Sequence, residues 1–525
     1  MNPQLPKREI KDIHLGDDAR TKILNGTLKM YEVVGSAYGP NGNNVILGLP
    51  YGDPTLTRDG VTIAKRVIIQ DKAEDDAAQV LRQASEKTNK TAGDGTTATV
   101  VLAYNLLKHG ARLIAAGENG MLLKKQMVED SRTVIDFLKG ISIDGAKHLL
   151  DVATVSAGDP AIGALIADTI KEIGNEGGIS IREQNYPTMD VEKVNGYYFD
   201  KGFFALNQQV EYAKPLIFVT SKTIASNQDI VPLLDRVIKG TNKNLVIVGE
   251  VRTNSDALNT LILNVMQAKL NAVVIPPPAY GDDAKLFMED IATYVGSQVF
   301  TAADDSRNLL DSHFGSAERV QISQERAIIF KGDGASEDIS SRAATIKDNM
   351  DKETNAHAKD NLEQRFAKLT GKIAIVNVGG STQAEMEELR YRVEDAIEAT
   401  KSAVNDGVLP GGGTMWVRAL ELDISPLFKG ALRDTFSKLM ENAAESAEYR
   451  LAQISKAELG FGFNLRKMTE EPIDLGKAGV WDATRAIVQT VENAASAAGS
   501  LLTVGAIVDP IELELKKDVK DAQAS

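Results

Sequence analysis

The chain has 525 residues, too long for one ordinary core, and its 43% apolar and 25% charged content are those of a globular protein of two to four domains. A formal charge of −14 argues against nucleic acid as a partner, since such a binder needs a basic face. With no cysteine, disulfides, thiolate metal sites and a cysteine nucleophile are excluded, as a reducing compartment would allow.

The opening MNPQLPKREIKDIHLGDD lacks the apolar core of a secretory signal and the Arg/Ser-rich character of a transit peptide, which points to the cytoplasm. Residues 17–37 then follow a helical pattern, with Asp17 or Asp18 as N-cap. Between 37 and 67 the character changes to short β-type runs at 44–47 and 55–57 among Gly, Pro and Asn turns. Helices resume at 74–91, after a break at 93–97, and at 119–139.

In the middle, strands at 216–221, 244–250 and 271–278 alternate with helices at 228–239, 254–269 and 283–295. This alternation predicts a compact α/β domain with a largely parallel sheet. A charged helical pattern (338–368), a strand (373–380) and a long helix (383–407) follow, and the last hundred residues are helical and Ala-rich. No run reaches the roughly 18 uninterrupted apolar residues of a membrane span. The stretch AIVQTVENAASAAGSLLTVGAIV (486–508) carries Glu492 and Asn493 and reads as a buried helix. The polar tail 516–525 is expected to fray. Helical, then α/β, then helical: one domain is inserted into another.

The five histidines are scattered, without paired metal spacing, and the Walker signature GxxxxGK[ST] is absent. What remains is TNKTAGDGTTATVV (88–101), where a helical pattern breaks at Gly93-Asp94-Gly95 and resumes after two threonines. A helix N-terminus presents backbone N–H groups and a positive dipole end to an anion, and glycine lets the backbone come close. Asp94 would repel phosphate unless it held a hard cation bridging to phosphate oxygens. The plainer reading is an Asp N-cap followed by ordinary first-turn threonines. Two further glycine loops, AYGPNGNN (37–44) and GVLPGGGT (407–414), are compatible with the same pocket, although spacing cannot bring them together.

LTRDGVTIAKRV (56–67), TAGDGTTATVV (91–101), RVEDAIEATKSAVNDGVLPGGG (392–413) and GVWDATR (479–485) resemble, in order and spacing, a group I chaperonin of the GroEL type. YGDDAKLFMEDIA (280–292) is similar to that family's apical segment, and the resemblance extends over nearly the whole chain. It implies a multidomain α/β and α fold. The helical equatorial ATP-binding domain would comprise 1–141 and 407–525. A small α/β intermediate hinge domain would comprise 142–195 and 373–406, and an α/β apical polypeptide-binding domain 196–372.

Carried over residue by residue, the resemblance places Gly39, Pro40, Arg58, Gly60, Asp94, Gly95, Thr96, Thr97, Gly412 and Asp482 at ATP, with Asp94 holding Mg²⁺ and a monovalent cation such as K⁺ nearby. Asp59 and Asp395 would be catalytic, Asp395 orienting the attacking water once the hinge domain closes; by itself Asp395 reads as a solvated helix-face carboxylate. Phe203, Val231, Leu234, Leu258, Ile262 and Leu263 fall at polypeptide-binding positions, although periodicity alone makes the helical ones buried stripes. Gly196 and Gly371 fall at the apical hinges. The implied activity is ATP-driven binding, encapsulation and release of non-native polypeptides by a homo-oligomeric ring, single or double and sevenfold, with a lid co-chaperonin and neither nucleic acid nor membrane as partner.

The chain departs from the family at Arg58 (Lys is usual), Ala98 (Thr), Lys372 (Gly), and at Asn207 and Gln208, which replace an aromatic pair. The 413–464 segment is about a dozen residues short, and the Gly-Gly-Met tail is missing. These mark a divergent member, with a secondary or virus-encoded copy as the expected source. They also motivate a competing reading as a ring-shaped holdase or scaffold with weak hydrolysis. A metabolic kinase would need a second-substrate site, and none is recognisable.

Overall fold

The computed structural model describes residues 11–510 except 49–53, 175–177, 185, 187, 200–201, 204–208, 280, 324–325 and 354. Asn207 and Gln208 therefore lie outside the described residues. The chain forms two compact units, one from residues up to Asp168 together with those from Gly380 onward, the other from Thr169–Gly379. The expected intermediate segments divide between them: 142–168 and 380–406 fall in the first unit, 169–195 and 373–379 in the second.

The first unit opens with β1 (Lys11–Leu15) and α1 (Gly16–Gly35). Neither Asp17 nor Asp18 is the cap; Leu15 is, and Gly16 turns the chain at φ +55°. The two carboxylates instead occupy the first turn, where the positive end of the helix dipole favours them. A hairpin of β2 (Val45–Leu47) and β3 (Thr55–Thr57) leads to α2 (Gly60–Arg66), α3 (Lys72–Ala92), α4 (Thr96–Ala115), α5 (Gly120–Ile141), α6 (Leu149–Ala157) and α7 (Pro160–Ile173).

In the second unit come β4 (Ile179–Gln184), β5 (Met189–Phe199), β6 (Val210–Ala213), β7 (Leu216–Val219), α8 (Asn227–Lys239), β8 (Asn244–Val248), α9 (Asp256–Met266), β9 (Asn271–Ile275) and α10 (Gly281–Val295). They are followed by β10 (Phe314–Ile322), β11 (Ala327–Gly332), α11 (Ser336–Lys352), α12 (Ala356–Thr370) and β12 (Lys372–Gly379). The strands run β4-β12-β5-β11-β10-β7-β8-β9, with β6 on β10. The largely parallel sheet expected from the helix–strand alternation is found only at β7-β8-β9 and β4-β12; the pairs between them are antiparallel. Hairpin strands such as β10 need no crossover helix, so no alternation announces them.

Returning to the first unit, the chain forms α13 (Gln383–Asp406), β13 (Val408–Pro410), α14 (Thr414–Arg418), α15 (Pro426–Asn442) and α16 (Ala447–Lys456). The remaining elements are β14 (Phe461–Gly462), β15 (Ile473–Asp474), β16 (Trp481–Ala483), α17 (Thr484–Leu502) and β17 (Ala506–Pro510). The Ala-rich α17 packs on α3, α4 and α5, and its small residues, among them Ala494, Ala495 and Ala498, are buried at close quarters. The predicted buried helix is thus present but stops at Leu502, and the chain then pairs β17 antiparallel with β1. Met30, Leu81, Leu102, Leu106, Phe428 and Phe436 centre the core of this unit. Among the described residues no helix is long and apolar enough to cross a membrane.

Candidate functional site

The break between α3 and α4 has the geometry of an open helix end. Gly93 (φ +69°) terminates α3 and Gly95 (φ +84°) starts α4, both in the left-handed region that glycine enters without steric cost. Gly95 itself is the N-cap, and no side chain caps the helix. Asp94 does not act as the cap; its Oδ1 accepts only from the N–H of Gly95, at 2.5 Å. Among the described residues the N-terminal N–H groups of α4 thus have no side-chain cap, as an anion site requires.

The Arg58-Asp59-Gly60 turn closes on the same point. Asp59 caps α2, its Oδ1 accepting from the N–H of Val61 (3.3 Å) and its Oδ2 from that of Thr62 (2.8 Å). Gly60 then lies so close to α4 that a Cβ on it would stand 2.9 Å from both Thr96 Oγ1 and the Thr97 nitrogen. Half-buried Arg58 has no hydrogen-bond or ion-pair partner among the described residues.

Both other glycine loops reach this region. Gly39 (φ +83°), followed by Pro40, packs under Leu439, and Asn41 donates to the Leu465 carbonyl at 3.0 Å. Tyr38 accepts from Trp416 Nε1 at 3.1 Å. Gly412 (φ +64°) and Gly413 (φ +73°) turn the chain between β13 and α14, and the Phe463 carbonyl leaves no room for a side chain at Gly412. Asp482 sits on β16 opposite Leu409, its Oδ1 2.9 Å from where a Cβ on Gly411 would lie. Burial raises the Tyr38 hydroxyl, the hydrogen bond from Trp416 opposes the rise, and the charges of Asp482 and Asp94 add to it.

Asp395 completes the group. It lies on α13, which packs over β3 and α3 and brings Glu398 against Gly93. Desolvation, then the negative charges of Asp59, Asp94, Glu394 and Glu398, push its carboxyl well above the usual range. Burial likewise raises Asp94, with the Gly95 N–H opposing and Asp59 adding to the rise. Asp482 is pushed up to about 7 by burial and then by the Asp94 charge. Carboxylates raised first by burial and then by one another's charge are an environment that a hard cation relieves. Among the described residues no three acidic or histidine side chains are arranged to hold a metal by themselves. The sequence reading missed Asn41, Trp416, Leu439, Phe463 and Glu398, whose contributions are contacts across long chain separations.

The TCP-1/cpn60 chaperonin family profile matches residues 30–512. The chain belongs to this family. Its fold is that of the chaperonin gp146 from the bacteriophage EL 2 (Pseudomonas aeruginosa), crystallised in the presence of ATP-BeFx. For crystal form II the TM-score is 0.73 at 19% identity, covering 95% of this chain and 99% of that one. Crystal form I gives 0.63 at 20%, with the same coverage. Such low identity makes this a divergent chaperonin.

In the second unit of this chaperonin, α8 and α9 lie side by side, and Thr260 Oγ1 donates to Asn227 Oδ1 at 2.7 Å. They expose Val231, Ile262 and Leu263, together with Met266, which the sequence reading did not single out. The expected groove loses Leu234, Leu258 and Phe203, all buried in the core of the unit. Gly196 stands where β5 leaves β12 (Asn195 pairs with Lys372) and joins β11 (Gly196 pairs with Phe330). Gly371 links α12 to β12 at the same joint, so the two expected hinge glycines are neighbours. A cavity of about 580 Å³ beside α10, α11 and α12 is lined by Arg342 and Arg365, but both guanidiniums are taken by Asp290.

Proposed function

We propose that this chaperonin is an ATP-hydrolysing folding machine, a homo-oligomeric ring that binds non-native polypeptides and releases them through nucleotide-driven domain movement. The observation that carries this reading is the uncapped N-terminus of α4, with Gly60 of the Asp59 turn packed against Thr96 and Thr97 and Glu398 of the Asp395 helix packed against Gly93. The crystallisation of gp146 with an ATP analogue supports a nucleotide as the ligand.

In this reading the N-terminal N–H groups of α4, with the Thr96 and Thr97 hydroxyls, position the phosphates, while Gly39, Pro40, Gly412 and Asp482 bound the rest of the nucleotide. Arg58, which has no partner among the described residues, would supply a further positive charge. Asp94 would hold a Mg²⁺, whose chemistry there would be neutralisation of developing negative charge. Asp59 caps α2, whose first residue, Gly60, packs against Thr96 and Thr97 at the start of α4. Asp395 would accept a proton from water only as the carboxylate; burial first, and then the charges of Asp59 and Asp94, push its carboxyl up, and a bound cation would offset the part due to those charges. The exposed Val231, Ile262, Leu263 and Met266 would grip apolar segments of unfolded chains. A nearby K⁺, a lid co-chaperonin and a cytoplasmic setting belong to the same proposal.

The test is steady-state ATP hydrolysis by wild type beside Asp395→Ala, with nucleotide binding measured in both. Turnover by wild type and much slower turnover by a variant that still binds supports the proposal. Binding without turnover in either makes the chain a nucleotide-gated holdase or scaffold, the reading that Arg58 and Ala98 motivate.

A further inference from the structure

Two arginines from different parts of the first unit grip one corner of the chain. Arg392 lies on α13, a turn before Asp395; its Nε donates to the Ala157 carbonyl at 2.7 Å, and its Nη2 stands 3.9 Å from Asp159 Oδ2. Arg466 comes from the opposite side. It follows the stretch in which the Phe463 carbonyl backs Gly412 and the Leu465 carbonyl accepts from Asn41, and its guanidinium donates to the Gly158 carbonyl. Gly158 (φ +69°) closes α6, and a Cβ there would lie 2.5 Å from Arg466 Nη2 and 3.8 Å from Arg392 Nη2. Both guanidiniums therefore converge on 157–159.

Charge does not bring them together. Desolvation and then the like charges of Arg58 and Arg392 lower the Arg466 pKa, with only Asp159 opposing. An arginine on the surface gives up side-chain entropy when it is fixed, so a residue kept there against repulsion is held by the bond it makes to the carbonyl. That bond ties a segment bordering the nucleotide loops to the corner that Arg392 ties to the Asp395 helix.

The geometry points to Arg466 as a positioning residue for ATP hydrolysis, linking the 463–466 segment through the Gly158 corner and Arg392 to the turn of α13 that presents Asp395. This rests on the ATPase reading above. An anionic phosphate beside Arg58 offsets the repulsion among the three guanidiniums, so the link is firmest with ATP bound.

The experiment compares full-length wild type, Arg466→Ala, Arg466→Lys, Asp395→Ala and the double alanine variant. It reads kcat and KM for Mg-ATP, and amide hydrogen exchange over 150–160 without nucleotide. Arg466→Ala is expected to lower kcat about tenfold with KM within about twofold, since a transition-state position and not ground-state binding is lost. Arg466→Lys should recover part of the rate, and Arg466→Ala should cost nothing further in the Asp395→Ala background. Exchange around Gly158 should quicken several-fold in Arg466→Ala. An unchanged kcat, an effect confined to KM, or a full further loss in the Asp395→Ala background overturns the assignment alone. A wild type without turnover overturns the ATPase reading and the assignment together.

Discussion

Asp482 offers the sharpest test of the electrostatics. Its carboxyl is pushed up to about 7, mainly by burial, so between its unfolded value and that point the folded chain binds more protons than the unfolded one. Its contribution to stability is then fully present at low pH and lost as pH rises from ~4 through about 7. Asp482→Asn removes this titration. Without nucleotide, the variant is expected to melt several degrees above wild type at pH 8, equivalent to roughly 1–3 kcal/mol, and to match it near pH ~4.5. Thermal melts at the two pH values decide it, and a variant less stable at pH 8 contradicts the burial argument. Gly60 tests sterics instead. Its φ is ordinary, but a methyl there meets the Thr96 and Thr97 hydroxyls and the Thr97 nitrogen. Gly60→Ala should therefore displace α2 from the start of α4, cost ~1–3 kcal/mol of stability and weaken ADP binding at least about tenfold by calorimetry. Unaltered affinity would place the phosphates elsewhere.

At the scale of elements, α8 and α9 divide their apolar residues between two tasks. Leu234 and Leu258 are buried in the core, whereas Leu263 and Met266 are 55% and 78% exposed. Leu234→Ala should destabilise the second unit by ~2–5 kcal/mol through the cavity it leaves. Leu263→Ser with Met266→Ser should leave melting within about 0.5 kcal/mol of wild type and reduce capture of a denatured client by several-fold, as aggregation assays would read. If the paired serines leave capture intact, these two helices are not the gripping surface. Much of this layout was legible beforehand. β7, β8 and β9 are unbroken apolar runs and α13 is strongly periodic, so each was readable as an element. By contrast β10 and β11 pair antiparallel, and β10 carries Glu318, Arg319 and Gln321 along its length, so no apolar run betrays it. The site was legible to the same degree. Glycines marked its three loops, but bonds such as Asn41 to Leu465 or Trp416 to Tyr38 join residues hundreds of positions apart and leave no local pattern.

At the scale of the whole molecule, the exposed surface bears on assembly. Ile13 and Val508 lie on the β1–β17 ribbon at 57% and 56% exposure, and Ile46 on the β2–β3 hairpin at 69%. Among the described residues both are two-stranded ribbons, each with open edges and outward apolar side chains, features a folded chain ordinarily covers. A ring supplies the cover by repeating one heterologous contact until it closes. With a chain mass of 56.6 kDa, a sevenfold single ring would weigh about 400 kDa and a double ring about 800 kDa. Light scattering after size exclusion should return one of these masses at low ionic strength. Ile46→Asp should shift the distribution toward monomer while leaving each chain folded, because that side chain is mostly solvent-exposed within its own subunit. The large negative charge, −14 per chain, sets a second dependence. Like-charged subunits repel one another, salt screens that repulsion over roughly 8–10 Å at physiological strength, and an apolar contact is not weakened by it. Raising salt should therefore hold or increase the ring fraction. A ring that instead dissociates as salt rises would mean that ion pairs between subunits, and not the ribbons, carry the assembly.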